Sequence, residues 1–233
     1  MSFWAHISDL ILDAAGTAFS TIVEQIRTIF EGDPATRAEV AFSVAFIALS
    51  AKMAKADGVV TPDEVTAFRE VFQFDEDNAA EVSALYNLAK RDTAGFETYA
   101  RQMSALCRAP DGDEMVLSDI MDALFHIAKA DGVLHERENE FLQRVASAFQ
   151  LSEQQFDAIL ARHVDLGDRD PWRVLGFANP VSVDKAKARH RELVRQFHPD
   201  AAKARGMPDE FLAVAEQRMV AINDAWSKIQ KSP

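Results

Sequence analysis

The stretch Lys55-Ala-Asp-Gly-Val-Val60 returns further along the chain as Lys129-Ala-Asp-Gly-Val-Leu134. Each copy follows an apolar pattern of helical period, and a glutamate (Glu64 or Glu138) stands six residues after each glycine. Glycine enters the left-handed backbone region without steric cost, so each Asp-Gly pair predicts the end of a helix. A pattern repeated in matching context indicates two related helix–turn–helix units.

The residues that follow each turn predict the start of the next helix. Thr61-Pro62-Asp63-Glu64 supplies a capping hydroxyl, a proline at the first helical position and a carboxylate at the third, whereas the helix that starts at His135 is capped more weakly.

A divalent-cation site is the alternative interpretation of these turns. Its four carboxylates would be Asp57, Glu64, Asp131 and Glu138. Because Met53 and Lys55 would stand at the first and third ligand positions of a calcium-binding loop, and neither offers an oxygen, we expect turn and capping roles. Ion binding by another grouping of the four stays open, and no metal or cofactor is predicted.

Composition and charge divide the chain. Its 233 residues are 48% hydrophobic and carry a net charge of −12, which argues against a nucleic-acid partner. Residues 170–233 have a net charge of +3 and the rest −15, so the sequence predicts an acidic module over residues 34–165 and a basic module over residues 170–233. The single cysteine, Cys107, excludes an internal disulfide and a cysteine zinc site and indicates a cytoplasmic protein.

An N-terminal amphipathic helix is predicted over residues 1–33. Its apolar stripe runs through residues 3–30, but Asp9, Asp13 and Glu24 interrupt it, and the uncharged run Ala14–Val23 is shorter than the roughly 20 residues of a membrane span. We therefore expect no transmembrane span and no signal peptide. The stripe favours packing or homo-oligomerisation through residues 3–30, and peripheral membrane contact is the alternative.

Apolar stripes of helical period in both modules predict an all-α fold. In the acidic module they comprise Ala41, Val44, Ala45, Ala48 and Leu49; Val82, Leu85, Leu88 and Ala89; and Met121, Leu124, Phe125 and Ala128. In the basic module the last helix carries Phe211, Ala215, Met219, Ile222, Trp226 and Ile229.

The basic module contains a cationic ridge, formed by Lys187, Arg191 and Arg195 at spacings of four on one predicted helix. The ridge leads into His198-Pro199-Asp200. Proline disfavours the helical conformation of the residue before it, so the helix should end at His198 and leave an imidazole and a carboxylate on an exposed turn. A loop and a last helix, opened by Pro208 at its first position, should follow.

Each of the two modules resembles a known protein family. The doubled Lys-Ala-Asp-Gly turn resembles the TerB-like helical domain. The motifs Trp172-x-x-Leu175-Gly176, Arg191-x-Leu193 with Phe197, and Ile222-x-x-Ala225-Trp226, around His198-Pro199-Asp200, resemble the J-domain of DnaJ co-chaperones. Their order in one chain, and the loop of residues 201–210, resemble the DjlA-like co-chaperones.

The resemblance implies a function. A J-domain docks its basic helix on a DnaK-type chaperone and stimulates ATP hydrolysis there, so the chain is expected to be no enzyme itself. His198, Pro199 and Asp200 match the trigger, Lys187 and Arg191 match the docking cations, and Arg195 extends the ridge by position. The acidic module would then bind an unknown client or partner or hold an oligomer together. The alternative is a TerB-like module that binds a metal or stress ligand, as in tellurite resistance, and is tethered to a J-domain.

The helix with the ridge departs from the J-domain pattern at two places. Arg189-His190 replaces an alanine–aromatic pair, and Glu192 replaces a basic residue.

Overall fold

The computed structural model describes residues 25–26, 28, 33–57, 66, 68, 79–91, 95–107, 115–163 and 170–231. Every regular element in these ranges is helical, which confirms the predicted all-α fold. The predicted N-terminal helix lies almost entirely outside the described residues, as do Gly58 and the capping stretch Thr61–Glu64.

The acidic module contains six described helices and the basic module four. In the acidic module they are α1 (Pro34–Asp57), α2 (Ala79–Arg91), α3 (Phe96–Cys107), α4 (Met115–Ala128), α5 (Glu136–Ala148) and α6 (Glu153–His163). In the basic module they are α7 (Pro171–Val174), α8 (Val183–Phe197), α9 (Pro199–Ala204) and α10 (Leu212–Lys231). Among the helices described, none combines the length and apolar character that a membrane span requires.

Helix α1 forms the centre of the acidic module. Asp33 starts it by accepting hydrogen bonds from the backbone N–H and the hydroxyl of Thr36. The predicted apolar stripe of this helix is buried, and burial extends beyond it, because residues 40–54 are buried on every side. Helices α2, α3, α4 and α5 all contact it, and a helix surrounded in this way is apolar all round.

The second Lys-Ala-Asp-Gly copy ends a helix as predicted. Helix α4 stops at Ala128, and Gly132 adopts a φ of 90° in the turn that follows. The Asp131 carboxylate accepts a hydrogen bond from the Val133 N–H at 3.0 Å, and the Glu138 carboxylate accepts one from the His135 N–H at 2.8 Å. These two acids therefore hold the turn and the start of α5, while Asp57 marks the end of α1 at the first copy.

Helices α8 and α10 pack against each other and run antiparallel. His190 on α8 stacks on Trp226 of α10, while Phe197, two turns later on α8, lies under Arg218, two turns earlier on α10. The buried residues of this core are Val174, Leu175, Ala186, Leu193, Phe197, Ile222, Ala225 and Ile229.

The connection between α8 and α10 differs from the predicted loop. Pro199 opens the short helix α9, and a 3-10 turn over Asp209–Phe211 precedes α10. The prediction that Pro208 opens the last α-helix is wrong, since Pro208 instead caps the 3-10 turn and the α-helix begins at Leu212. Proline fixes φ near −65° in either kind of helix, so the sequence did not distinguish them.

The core of the acidic module extends into the basic module. Phe211 sits between Phe42 and Phe46 of α1, with ring centroids 4.7 Å from each. Ala202, Met207, Phe211, Val214 and Ala215 of the basic module all belong to the buried cluster of the acidic module. The segment from α9 to the start of α10 is therefore built into the acidic module.

Candidate functional site

Helix α8 presents its cationic ridge to solvent. Ser182 caps the helix, and its hydroxyl accepts a hydrogen bond from the Lys185 N–H. Lys187, Arg191 and Arg195 are all exposed, and no hydrogen bond or salt bridge joins them to any other described residue. The opposite face, with Ala186, Leu193 and Phe197, is buried. The ridge charges are therefore available to another molecule.

The helix ends where the proline requires. His198 has φ −58° and ψ 138°, an extended conformation that residues before proline prefer, and it serves both as the C-cap of α8 and as the N-cap of α9. Its ring Nδ1 accepts a hydrogen bond from the Asp200 N–H at 3.2 Å. The imidazole thus closes the turn on which the Asp200 carboxylate is carried, and it needs an unprotonated Nδ1 to do so.

The polar side chains of this turn point outward. The His198 side chain is 52% exposed and the Asp200 side chain 94% exposed, while Pro199 between them is half-buried. Phe197, directly before the turn, is buried beneath the guanidinium groups of Arg162 and Arg218. The buried Phe197 thus anchors one side of the turn, while the side chains of His198 and Asp200 face solvent next to Arg195 at the end of the ridge.

The departures from the J-domain pattern in α8 have structural partners. His190 Nε2 lies 2.9 Å from the Asn223 side-chain oxygen, and its ring stacks on Trp226 at 5.4 Å. Arg189 pairs with Glu192 at 2.8 Å and donates to the Leu175 carbonyl. Arg189 and His190 therefore tie α8 to α7 and α10, unlike the ridge cations.

A buried ion network lies under the turn and joins the two modules. Two fully buried carboxylates of α4, Asp119 and Asp122, form its centre. Arg218 Nη1 contacts Asp119 at 2.6 Å and Asp122 at 2.9 Å. Arg205 binds Asp119 at 3.0 Å, and Arg162 binds Asp122 at 3.2 Å. Burial is tolerable for these charges because each lies against an opposite charge.

The network sets the charge state of its members. Burial alone would raise the pKa of Asp122, but the guanidinium groups of Arg162 and Arg218 hold that pKa far below its ordinary value. His163 Nε2 lies 2.9 Å from Asp122, yet burial lowers the pKa of His163, so the imidazole stays neutral and donates to the carboxylate. His163 is thus a buried member of the network and takes the role of a neutral donor.

Sequence reasoning assigned no role to Asp119, Asp122, Arg205 or Arg218. A signal was available, since Asp119 and Asp122 stand three residues apart, and therefore on one face, in a helix that is otherwise strongly apolar. Such carboxylates require buried partners, but the sequence does not say which of the 25 Lys and Arg residues supply them.

The carboxylates of the second Lys-Ala-Asp-Gly turn are engaged locally. Asp131 lies 2.9 Å from His135 Nε2. The buried Glu138 carboxylate accepts a hydrogen bond from the His135 backbone N–H in the same turn. In the part of the chain that the structure describes, no three His, Cys, Asp or Glu side chains are grouped closely enough to hold a metal ion. Glu64 lies outside that part, so the four-carboxylate alternative stays a prediction.

Comparison with known proteins bears on both modules. Residues 43–161 match the family model described as tellurite resistance protein TerB. The co-chaperone protein DjlA of Coxiella burnetii is 25% identical over 218 residues, which cover 85% of this chain and 79% of the relative. DjlA of Photobacterium profundum is 24% identical over 216 residues, covering 82% of this chain and 77% of the relative. DjlA of Haemophilus ducreyi is 23% identical over 269 residues, covering 99% of this chain and 89% of the relative. No solved structure matches the chain significantly.

These matches confirm the resemblance to the TerB-like helical domain and to the DjlA-like co-chaperones. The TerB model covers half of the chain, from within α1 to α6, and the alignments with the DjlA co-chaperones run through both modules. The chain therefore belongs to the TerB family, and its similarity to the co-chaperone DjlA extends through the basic module.

Proposed function

We propose that the protein is a J-domain co-chaperone, which docks on a DnaK-type chaperone and stimulates its ATP hydrolysis. The observation that carries this proposal is the outward-facing His198-Pro199-Asp200 turn at the end of an exposed cationic ridge, whose cations form no ion pair with any residue that the structure describes. The similarity to DjlA, a co-chaperone by name, supports the same class of function.

Charge explains how such a site would recognise its partner. The cationic ridge would attract an acidic surface and raise the rate of association with it, most strongly at low ionic strength. Because the ridge cations have no partner within the described chain, docking would not have to break an internal ion pair first.

The turn would supply the specific contact. Asp200 carries its carboxylate almost fully exposed, and a carboxylate in that position can take an arginine of the partner in a charge-assisted pair. His198 holds the backbone of Asp200 through its ring nitrogen, so the imidazole would act on the geometry of the pair. Loss of either side chain should therefore abolish stimulation without unfolding the protein.

Steady-state ATP hydrolysis by a DnaK-type chaperone, measured with increasing amounts of the full chain, tests the proposal. Wild-type protein should stimulate hydrolysis, and His198→Gln and Asp200→Asn should each reduce that stimulation to background. Asp224→Asn is the matched control, because Asp224 is an exposed carboxylate on α10 that pairs with no cation in the described part of the chain. An inactive wild-type protein, or full stimulation by Asp200→Asn, would refute the proposal.

The acidic module, in this proposal, binds the client or a further partner and also carries the basic module. The first role rests on the family resemblance. The second rests on contacts within the chain, since Phe211 and the buried ion network fix the basic module to α1 and α4.

A further inference from the structure

The turn of the proposed docking site is continuous with a segment that the acidic module holds in place. Ala202 N–H donates to the His198 carbonyl at 3.0 Å and so closes the first turn of α9. Ala202 itself is fully buried in the core of the acidic module, as is Met207 at the end of the same segment. The position of α9 is therefore set by the acidic module.

Gly206 shows how closely this segment approaches α1. It has a φ of 94°, and a Cβ placed on it would lie 2.5 Å from the Ala38 Cβ and 3.0 Å from the Glu39 nitrogen. Only glycine fits this approach, both because of its backbone conformation and because of the space.

Arg205 connects the acidic module directly to the end of α8. Its Nη1 donates to the Gln196 carbonyl at 2.8 Å. This carbonyl lies in the last turn of α8, where Pro199 has no N–H and the Asp200 N–H is bound to His198 instead, so it has no amide partner within the helix. The other side of the same guanidinium group, through Nε and Nη2, binds Asp119 at 3.3 and 3.0 Å.

Asp119 is a firm anchor for this arginine. It is fully buried on α4, and Arg218 holds its other oxygen at 2.6 Å. A planar guanidinium group that bridges a fixed carboxylate and a helix-end carbonyl orients both acceptors at once, which an ammonium group does not do.

We infer that Asp119 and Arg205 are positioning residues for the His198-Pro199-Asp200 turn: the acidic module sets the direction of the docking turn through the chain Asp119, Arg205 and the Gln196 carbonyl. This inference rests on the proposed function and adds that the J-domain turn depends on the TerB-like module for its geometry. Neither residue need touch the chaperone.

The inference predicts that a substitution of Arg205 changes the maximal stimulation of ATP hydrolysis but not the co-chaperone concentration at half-maximal stimulation. The cationic ridge lies on the exposed face of α8 and is unaffected by Arg205, so the concentration of co-chaperone at half-maximal stimulation should stay within about twofold of wild type. The maximal stimulation depends on the placement of the turn, and a small misplacement of a reacting group costs about tenfold or more. Arg205→Gln should therefore lower the maximum about tenfold.

The experiment uses the full chain and a DnaK-type chaperone, with hydrogen exchange of the α9 amides as a second readout. Arg205→Gln should speed exchange at Ala202, whose N–H closes the turn, while circular dichroism and thermal melting confirm that the protein is folded. Arg205→Lys keeps the charge opposite Asp119 and so protects the fold, but it should restore the maximum only in part. Arg173→Gln is the matched control, since it removes an exposed arginine of the same module whose nearest carboxylate is 3.9 Å away.

The outcomes distinguish this inference from the proposed function. If wild type stimulates hydrolysis and both Arg205 variants reach the wild-type maximum, the inference is wrong and the proposed function stands. A raised half-maximal concentration at an unchanged maximum also refutes it, because Arg205 would then act as a docking cation. If wild type does not stimulate at all, the proposed function fails, and unchanged exchange at Ala202 in Arg205→Gln would still reject the positioning role.

Discussion

The basic module carries two sets of cations that differ in what they face. Lys187, Arg191 and Arg195 point into solvent from one side of α8 and bind none of the residues that the structure describes. Arg205 and Arg218 point the other way and form salt bridges with the carboxylates of α4. The same excess of positive charge therefore serves two purposes, one directed at another molecule and one at the chain itself.

The difference matters because the two sets of cations contribute different amounts to the free energy of unfolding. An exposed charge contributes little to folding, about 0–1 kcal/mol even when paired. Removing one partner of a buried pair leaves an uncompensated charge and costs about 3–5 kcal/mol. Stability measurements should therefore report on the buried set and binding measurements on the exposed set.

The largest effect is expected for Asp122→Asn. The substitution leaves Arg162 and Arg218 short of a buried negative charge, so the free energy of unfolding should fall by about 3–5 kcal/mol. Urea denaturation measures it, and Asp157→Asn, at an exposed carboxylate of α6, should change it by less than about 0.5 kcal/mol. Equal losses for the two variants would show that the ion network does not hold the modules together.

A steric test of the same interface comes next. Gly206→Ala places a Cβ against Ala38, and overpacking of this kind costs about 1–3 kcal/mol beyond the strain of the backbone. Gly132→Ala is the matched control, because Gly132 has a similar φ of 90° and open space around it. Thermal melting should show the larger loss for Gly206→Ala, and a loss no greater than that of Gly132→Ala would mean that α9 is free of α1.

The buried network should also make stability depend on pH. Burial lowers the pKa of His163 in the folded protein, while the unfolded chain binds a proton at the ordinary pKa of 6.5, so between these two pKa values the unfolded state holds more protons and stability falls as the pH drops. The slope from this group is at most about 1.4 kcal/mol per pH unit. Asp122, whose pKa is lowered from 3.8, adds a further loss that begins near pH 4 and grows as the pH falls.

His163→Gln isolates the first of these contributions. Glutamine keeps a side-chain donor for Asp122 but does not titrate, so the stability of the variant should change less than that of wild type between pH 7.5 and about 5. Denaturation at several pH values measures the difference. Parallel curves for the two proteins would indicate that folding does not shift the pKa of His163.

The smallest effect on folding is expected for the ridge. Replacing Lys187, Arg191 and Arg195 together by glutamine should change the free energy of unfolding by less than about 0.5 kcal/mol per site, yet raise the half-maximal concentration for chaperone stimulation by about tenfold or more. A second triple variant, with Lys90, Arg101 and Lys231 replaced by glutamine, changes the net charge equally elsewhere. If both triples weaken docking alike, net charge and not the ridge attracts the partner.

The parts of this comparison that follow from local spacing were predictable from the sequence. Helical period placed Lys187, Arg191 and Arg195 on one face and Leu193 and Phe197 on the other, and the proline placed the end of α8. Gly132 likewise adopts the left-handed conformation that the second Asp-Gly turn indicated.

The parts that depend on distant contacts were not predictable. Asp119 and Arg218 are 99 residues apart in the chain, and nothing in the local pattern of either indicates the other. The predicted stripe of helix α1 is buried, but the sequence does not show that the other sides of the helix are buried too, with Phe42 and Phe46 packed against Phe211 of the other module. The division at residues 165–170 stays a prediction, and Phe211 and its neighbours from beyond it belong to the core of the acidic module.

The insertion of Phe211 between two phenylalanines of α1 has a consequence for protein engineering. A fragment cut at the linker would expose this aromatic ring, Met207 and the arginines that Asp119 normally neutralises, and would tend to self-associate. A chimera that replaces either half with a homologous part must match the opposite surface as well. Neither module of this protein can therefore be replaced by a homologous module without a matching change in the other.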